Sequence, residues 1–172
     1  MGLSSGTTGQ RGIFFVSQKN SSKHAAFVMS KYINLLKKNK IAYFQRANSN
    51  LYEVGASSRL QLCFFDLIFP VQDHIAELNT LMPNILIAPS RVLKQLALLK
   101  KDGLLKIKPK KVINIMEVLD ANDERIIKEH FSVDFIHQFY MATEGIIALT
   151  CEEGKLHLCE ELMEINLSLI HI

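Results

Sequence analysis

Residues 84–115 read NILIAPSRVLKQLALLKKDGLLKIKPKKVINI, and the order of apolar and polar residues in this stretch decides the fold. Asn84 to Ala88 is a short, continuously apolar run of the kind a strand shows when both of its faces are covered. After Pro89, Ser90 is placed to cap a helix, and Val92, Leu93, Leu96 and Leu99 recur at helical spacing until Gly103 stops it. Lys111 to Ile115 is a second buried-type strand. Strand, helix and strand within 32 residues predict a right-handed crossover between parallel neighbours.

Reading outward, the same rhythm continues on both sides. Asp120 caps a predicted helix through Phe131, with Asp123 and Glu124 in its first turn, and Val133 to Phe139 returns as a strand. Upstream, Ile41 to Gln45 and Leu60 to Phe65 read as strands, and Val71 to Leu81 as a helix that Pro83 ends. Further back, Ile13 to Val16 reads as a strand, and Asn20, Ser21 and Ser22 supply caps. Ala25, Val28, Met29, Tyr32, Ile33 and Leu36 then form one helical stripe ending at Lys37 and Lys38. After Gly145 the pattern changes to two short runs, Ile146–Cys151 and Lys155–Leu158, around Glu152-Glu153-Gly154, a hairpin signature. The expected fold is α/β: a mostly parallel sheet with helices on both faces, closed by a β-hairpin.

Composition sets the outer bounds. A chain of 172 residues, 48% hydrophobic, is the size of one globular domain with a substantial core. A net charge of +3 is too small to mark a nucleic-acid binder, and the lysine runs at 37–40 and 106–111 read as solvated edges. The three cysteines, Cys63, Cys151 and Cys159, without a signal-like apolar start, point to a reducing cytoplasm. No apolar run approaches a membrane span, so neither a membrane nor a nucleic acid is expected as partner. Cys151, His157 and Cys159 lack a C-x-x-C pair and a fourth ligand, which argues against zinc; His157 and Cys159 are expected to alternate with leucines on a half-buried strand.

In an open parallel sheet, ligands gather past the carboxyl ends of the strands. Three loops therefore matter: the opening segment, Met116-Glu117-Val118-Leu119, and Tyr140-Met141-Ala142-Thr143-Glu144-Gly145. Ser4-Ser5-Gly6-Thr7-Thr8-Gly9 offers four hydroxyls, and its glycines let backbone N–H groups converge on phosphate oxygens, with Arg11 as an added charge. It is not a Walker loop. By composition alone it reads as a flexible linker sooner than as a site. Glu144 offers the hard oxygen that Mg²⁺ prefers, Thr143 a donor to phosphate, and Tyr140 a flat face for a base.

Taken together, these three motifs, in this order, resemble those of the adenylate-forming superfamily of acyl-CoA synthetases, adenylation domains and luciferases. Leu3–Gly9 is similar to its Ser/Thr/Gly-rich phosphate loop, Tyr140–Glu144 to its Y-x-x-T-E motif, and Met116–Leu119 to the loop lining the adenine pocket. Phe64-Phe65-Asp66-Leu67, Glu117-Val118-Leu119-Asp120 and Ala142-Thr143-Glu144-Gly145 resemble more closely the phenylacetate-CoA ligase branch, including synthetases that adenylate a deazaflavin coenzyme. The likeness runs from residue 3 to about 165.

The resemblance implies an ATP- and Mg²⁺-dependent ligase that joins AMP to an acid oxygen, of an aromatic carboxylate or a deazaflavin-type coenzyme, with release of pyrophosphate, and leaves open a second step of thioester formation with CoA. Ser4, Ser5, Gly6, Thr7, Thr8 and Gly9, with Arg11, would hold phosphates; Thr143 would contact the α-phosphate and Glu144 the metal. Met116, Glu117, Val118, Tyr140 and Ala142 would border the base, and the acid would lie near Phe64-Phe65 and the helix after Pro89. Gln10-Arg11-Gly12 stands where the family usually has a proline and lysine, and Met116 where it has Gly or Ala. The ribose-binding aspartate, the C-terminal lysine and the strand before the phosphate loop are expected outside these residues. Residues 1–166 are thus read as a partial adenylation domain, inactive by itself, and 167–172 as a non-native tail. The competing expectation is a non-catalytic nucleotide-binding or scaffold domain of the same fold.

Overall fold

The computed structural model describes residues 2–3, 13–14, 18–34, 36–46, 58–142, 145–162 and 164. Its centre is a sheet of seven strands in the order β4-β3-β5-β6-β7-β8-β9. β3 (Asn39–Gln45), β4 (Leu60–Asp66), β5 (Ile85–Ala88) and β6 (Lys111–Asn114) are parallel, as is the start of β7 (His137–Ala142) beside β6. β8 (Gly145–Thr150) and β9 (Leu156–Leu158) then add antiparallel, as the hairpin signature predicts.

The chain reverses direction across the sheet at β3, and this distributes the helices. β3 leads to β4 on one side, whereas β4, β5, β6 and β7 then step the other way. Right-handed crossovers place every helix of the second series on one face. α2 (Ile75–Leu81), α3 (Ser90–Lys101) and α4 (Ala121–Phe131) accordingly share one core with Ala42, Phe44, Leu86, Ala88 and Val112. α1 (Gln18–Tyr32) takes the other face, where Tyr32 packs with Ile41, Ile85, Ile113 and Ile115. The odd-numbered and even-numbered residues of β3, β5 and β6 divide between these cores because side chains alternate along a strand.

Several boundaries differ from the sequence expectation. The first helix starts at Gln18, so Asn20 to Ser22 lie inside it and do not cap it, and it ends at Tyr32. Asn34 unwinds the stretch beyond: its side chain accepts from Leu36 N–H at 2.9 Å, while Asn39 Nδ2 donates to the carbonyls of Asn34 and Lys37. Side chains of this type compete with helical hydrogen bonding, and Leu36, expected on the buried stripe, is exposed. Val71–His74 is a 3₁₀ turn that feeds α2. Ser90 is the first residue of α3 and not its cap, since Pro89 precedes the helix and no local side chain caps it. Asp120 does cap α4, accepting from Asp123 N–H at 2.9 Å. Tyr140, Met141 and Ala142 belong to β7 and not to a loop, whereas 133–136 precede the strand. A strand before residues 4–12 is present after all: β1 (Gly2–Leu3) pairs antiparallel with β2 (Ile13–Phe14). Leu156, His157 and Leu158 are all exposed on the sheet edge, since no described strand lies beyond β9; Cys159 is buried.

A buried polar cluster ties α1 to the antiparallel part of the sheet. Tyr32 Oη donates to the Thr150 carbonyl at 2.5 Å, and its ring meets His137 edge-on at 5.0 Å and Phe139 at 4.9 Å. Burial pushes the His137 pKa below the usual 6.5; the Lys111 ammonium acts the same way, and a hydrogen bond to the Thr150 backbone and the Glu152 carboxylate oppose it. A depressed folded-state pKa means that the unfolded chain binds the proton first, so stability is full above about 6.5 and is lost as pH falls through the folded value. The His137 ring should therefore titrate below 6.5 in NMR, with the denaturant midpoint falling over the same interval. A titration at or above 6.5 contradicts the neutral, buried state.

Candidate active site

At the carboxyl end of β6 the chain turns sharply. Met116 has φ +65°, and Glu117 N–H donates to the Ile115 carbonyl at 2.8 Å, closing a three-residue turn around it. This is the γ-turn in its rare form, strained for any residue with a Cβ. The strain persists because both flanks are fixed. Asn114 Nδ2 donates to the Glu117 carbonyl at 2.7 Å, and Ile115 N–H donates to the Ala88 carbonyl of β5 at 3.2 Å.

Glu117 supplies the second attachment. Its Oε2 accepts from Arg91 N–H at 3.0 Å and from Ser90 Oγ at 3.1 Å, and Ser90 Oγ also lies 3.2 Å from the Val118 carbonyl. The carboxylate thus caps α3, the helix without a local cap, and sits at its electropositive end. The Arg91 guanidinium is 3.6 Å from Oε1 but largely exposed, and adds little. Sequence reasoning missed this role, since the capping residue lies 26 positions from the amide that it serves. Among the residues expected at the base, Glu117 therefore spends its carboxylate on α3, and Met116 and Val118 are the ones whose side chains are free.

Those side chains are exposed: Met116 by 60% and Val118 by 92%. On the neighbouring strand, at the same end of the sheet, Tyr140 is exposed by 59%, and Met141, which strand alternation turns to the opposite face, by 50%. Met116, Val118 and Tyr140 thus leave apolar side chains open to solvent at the carboxyl end of the sheet, where the ligands of open α/β sheets sit. The pairing of β7 with β8 is irregular here: Tyr140 pairs with Ala148 and Met141 with Ile146, leaving Ile147 of β8 as an extra residue. Such bulges re-aim side chains beside functional sites. Ala142, exposed, pairs with Gly145 at the end of the strand, and Gly145 has φ +140°, a conformation suited to glycine.

Ser4, Ser5, Gly6, Thr7, Thr8, Gly9 and Arg11, with Thr143 and Glu144, lie outside the described residues. The ends that carry them are described: Leu3 pairs with Ile13, and Ala142 with Gly145. Phe64 and Phe65, expected together near the acid, point to opposite faces of β4. Phe65 is in the core, stacked on Phe44 at 4.8 Å, whereas Phe64 is half-buried with Tyr43 at 6.4 Å. Strand alternation makes a shared lining by the two rings impossible. No group of His, Cys, Asp or Glu that could hold a metal occurs among the described residues, and none of the described helices is long and apolar enough to cross a membrane.

Two solved structures have this arrangement of strands and helices. One is an open conformation of 2-hydroxyisobutyryl-CoA ligase in complex with 2-HIB-AMP and CoA, with a TM-score of 0.62 and 14% identity over 84% of this chain. The other is apo MatB from Rhodopseudomonas palustris, with a TM-score of 0.58 and 15% identity over 89% of this chain. The fold is the one that segments of these two structures have. The chain spans about a third of the length of each, 35% and 30%. No protein-family model and no curated protein matches it. At these identities the shared property is the fold, an α/β sheet with helices on both faces, and not the activity, the branch or the substrate.

Proposed function

We propose that the chain is the nucleotide-binding part of an adenylate-forming ligase, in which an acid oxygen attacks the α-phosphate of ATP and pyrophosphate leaves. The observation that supports this reading best is the exposed set Met116, Val118 and Tyr140 on clamped backbone at the carboxyl ends of β6 and β7. A flat apolar base rests against these side chains, with Tyr140 as the stacking face. Glu117 and Asn114 hold the loop at one position, so that little ordering is needed when the base arrives.

The phosphates are assigned to Ser4–Gly9, with Thr7 and Thr8 as donors and Arg11 as a further charge. The pairing of β1 with β2 brings the ends of this segment together. Preplaced amides and hydroxyls are the right catalysts here, because the transition state gathers charge on phosphate oxygens. Thr143 donates to the α-phosphate. Glu144, an oxygen ligand of the class that Mg²⁺ takes, would hold the metal, which supplies charge neutralisation on the phosphates. The acid is a carboxylate, aromatic by the sequence resemblance, or a deazaflavin-type coenzyme, and CoA is a candidate acceptor, in keeping with the CoA bound to the similar ligase.

The test separates binding from catalysis. AMP added to the 172-residue chain should shift the NMR signals of Met116 and Tyr140 saturably, while the same chain gives no ATP–pyrophosphate exchange with any acid. No shift at either residue overturns the base site. Exchange by this chain overturns the assignment of the catalytic lysine and ribose-binding aspartate to other residues.

A further inference from the structure

The opposite end of the sheet carries a second cleft, at the amino ends of β6 and β7. Between α3 and β6 the chain runs extended without joining a strand, and burial alternates strictly. Leu105, Ile107 and Pro109 are buried, whereas Lys106, Lys108 and Lys110 are exposed. In extended chain, alternate side chains share one side at a spacing of about 7 Å, so the apolar residues anchor a row of three ammonium groups. The described ion pairs use Lys31, Lys94, Lys111, Lys128 and Lys155, and none of the three lysines in the row has a carboxylate partner among the described residues.

Lys108 and Lys110 face a cleft of about 580 Å³, together with Lys100, Phe131, Val133 and Phe135. That volume suits a small organic ligand. Asp134 is the one acid in the lining, against three lysines. Lys100 gives its ammonium to the Ile107 carbonyl at 2.7 Å, and burial together with the neighbouring Lys108 charge lowers its pKa. His137 also lines the cleft; it is 4% exposed, and its Nδ1 has no hydrogen-bond partner. Cations gathered unneutralised around a concavity repel one another, and a buried ring nitrogen left unpaired costs free energy. A solvated strand edge, the sequence reading of 106–111, accounts for exposed lysines but not for the aromatic walls or the buried imidazole Nδ1 without a partner.

We propose that this cleft binds a phosphorylated small molecule with an apolar or aromatic body, its phosphate on Lys108 and Lys110 and its body against Phe131, Val133 and Phe135. The site is separate from Met116 and Tyr140, which lie at the carboxyl ends of the same strands. Its occupant is therefore not the nucleotide of the proposed reaction.

Titration of the isotope-labelled chain with phenyl phosphate, and separately with inorganic phosphate, tests this by NMR. Phenyl phosphate should shift the ring signals of Phe135 and His137 saturably and bind more tightly than inorganic phosphate, and added salt should weaken it. The double variant Lys108→Gln/Lys110→Gln should weaken binding about tenfold or more, as expected on losing charge-assisted contacts, while Lys37→Gln/Lys38→Gln should leave it unchanged. The signals of Met116 and Tyr140, followed in the same spectra with AMP, report on the nucleotide site independently. The proposal fails if Phe135 and His137 show no saturable shift below about 10 mM, if inorganic phosphate binds as well as phenyl phosphate, or if the control variant weakens binding equally.

Discussion

Phe44→Ala lowers the unfolding free energy by about 4 kcal/mol, within the range for emptying a buried aromatic site. Phe44 is fully buried in the centre of β3, stacked on Phe65 at 4.8 Å and meeting His74 edge-on at 5.9 Å. Truncation removes the transfer free energy of the ring and the aromatic pair together, and β4 on one side and α2 beneath cannot close the space without moving the sheet. For a domain of this size the loss corresponds to a drop in Tm of roughly 8–16 °C. Ile68→Ala and Phe69→Ala serve as controls: both side chains are mostly exposed and should change stability by less than about 0.5 kcal/mol. A loss below about 1.5 kcal/mol for Phe44→Ala, by denaturant unfolding, would mean that the core on the α2–α4 face is loosely packed.

The same residues show how far the sequence carries. The apolar runs at 41–45, 60–65, 84–88 and 111–115 and the helical stripe after Pro89 were sufficient for the parallel sheet and its crossovers, because period and length are local properties. Asp120 was legible as a cap for the same reason. What was not legible depends on partners distant in sequence. Phe64 and Phe65 are equivalent in composition, and only strand pairing decides that Phe65 enters the core. Ser90 has the right chemistry for a cap at nearly the right place, yet Pro89 occupies the cap position and Glu117 performs the function. Asn34 ends α1 through hydrogen bonds to its own neighbourhood, which overrode an apolar stripe reaching Leu36. At the candidate site, Met116 was readable as a departure from Gly or Ala, but the positive φ that makes the departure costly is a property of the fold.

That strained methionine gives the second large expected effect. Glu117→Ala removes the acceptor for Arg91 N–H and Ser90 Oγ, and so uncaps α3 and takes away the loop's carboxylate attachment in one change, leaving Asn114 and Ser90 on backbone carbonyls. Loss of the cap alone is worth about 1–2 kcal/mol. Held less firmly, Met116 leaves its turn more often, which recovers part of the strain but disperses the surface on which the base is proposed to rest. Nucleotide binding should therefore fall about tenfold or more, beyond what lost stability explains, since a population of loop conformers taxes affinity in proportion. Two further variants separate the causes. Glu117→Gln keeps an acceptor for both donors and should retain most of the stability and the affinity. Met116→Gly removes the reason for the turn to open but also one side chain of the base surface, so it should lower AMP binding less in the Glu117→Ala background than in the unsubstituted chain. A double-mutant cycle on both quantities reads that difference directly. If the two losses are additive for binding, Glu117 supports α3 but does not hold the base loop, and the clamp has no part in recognition.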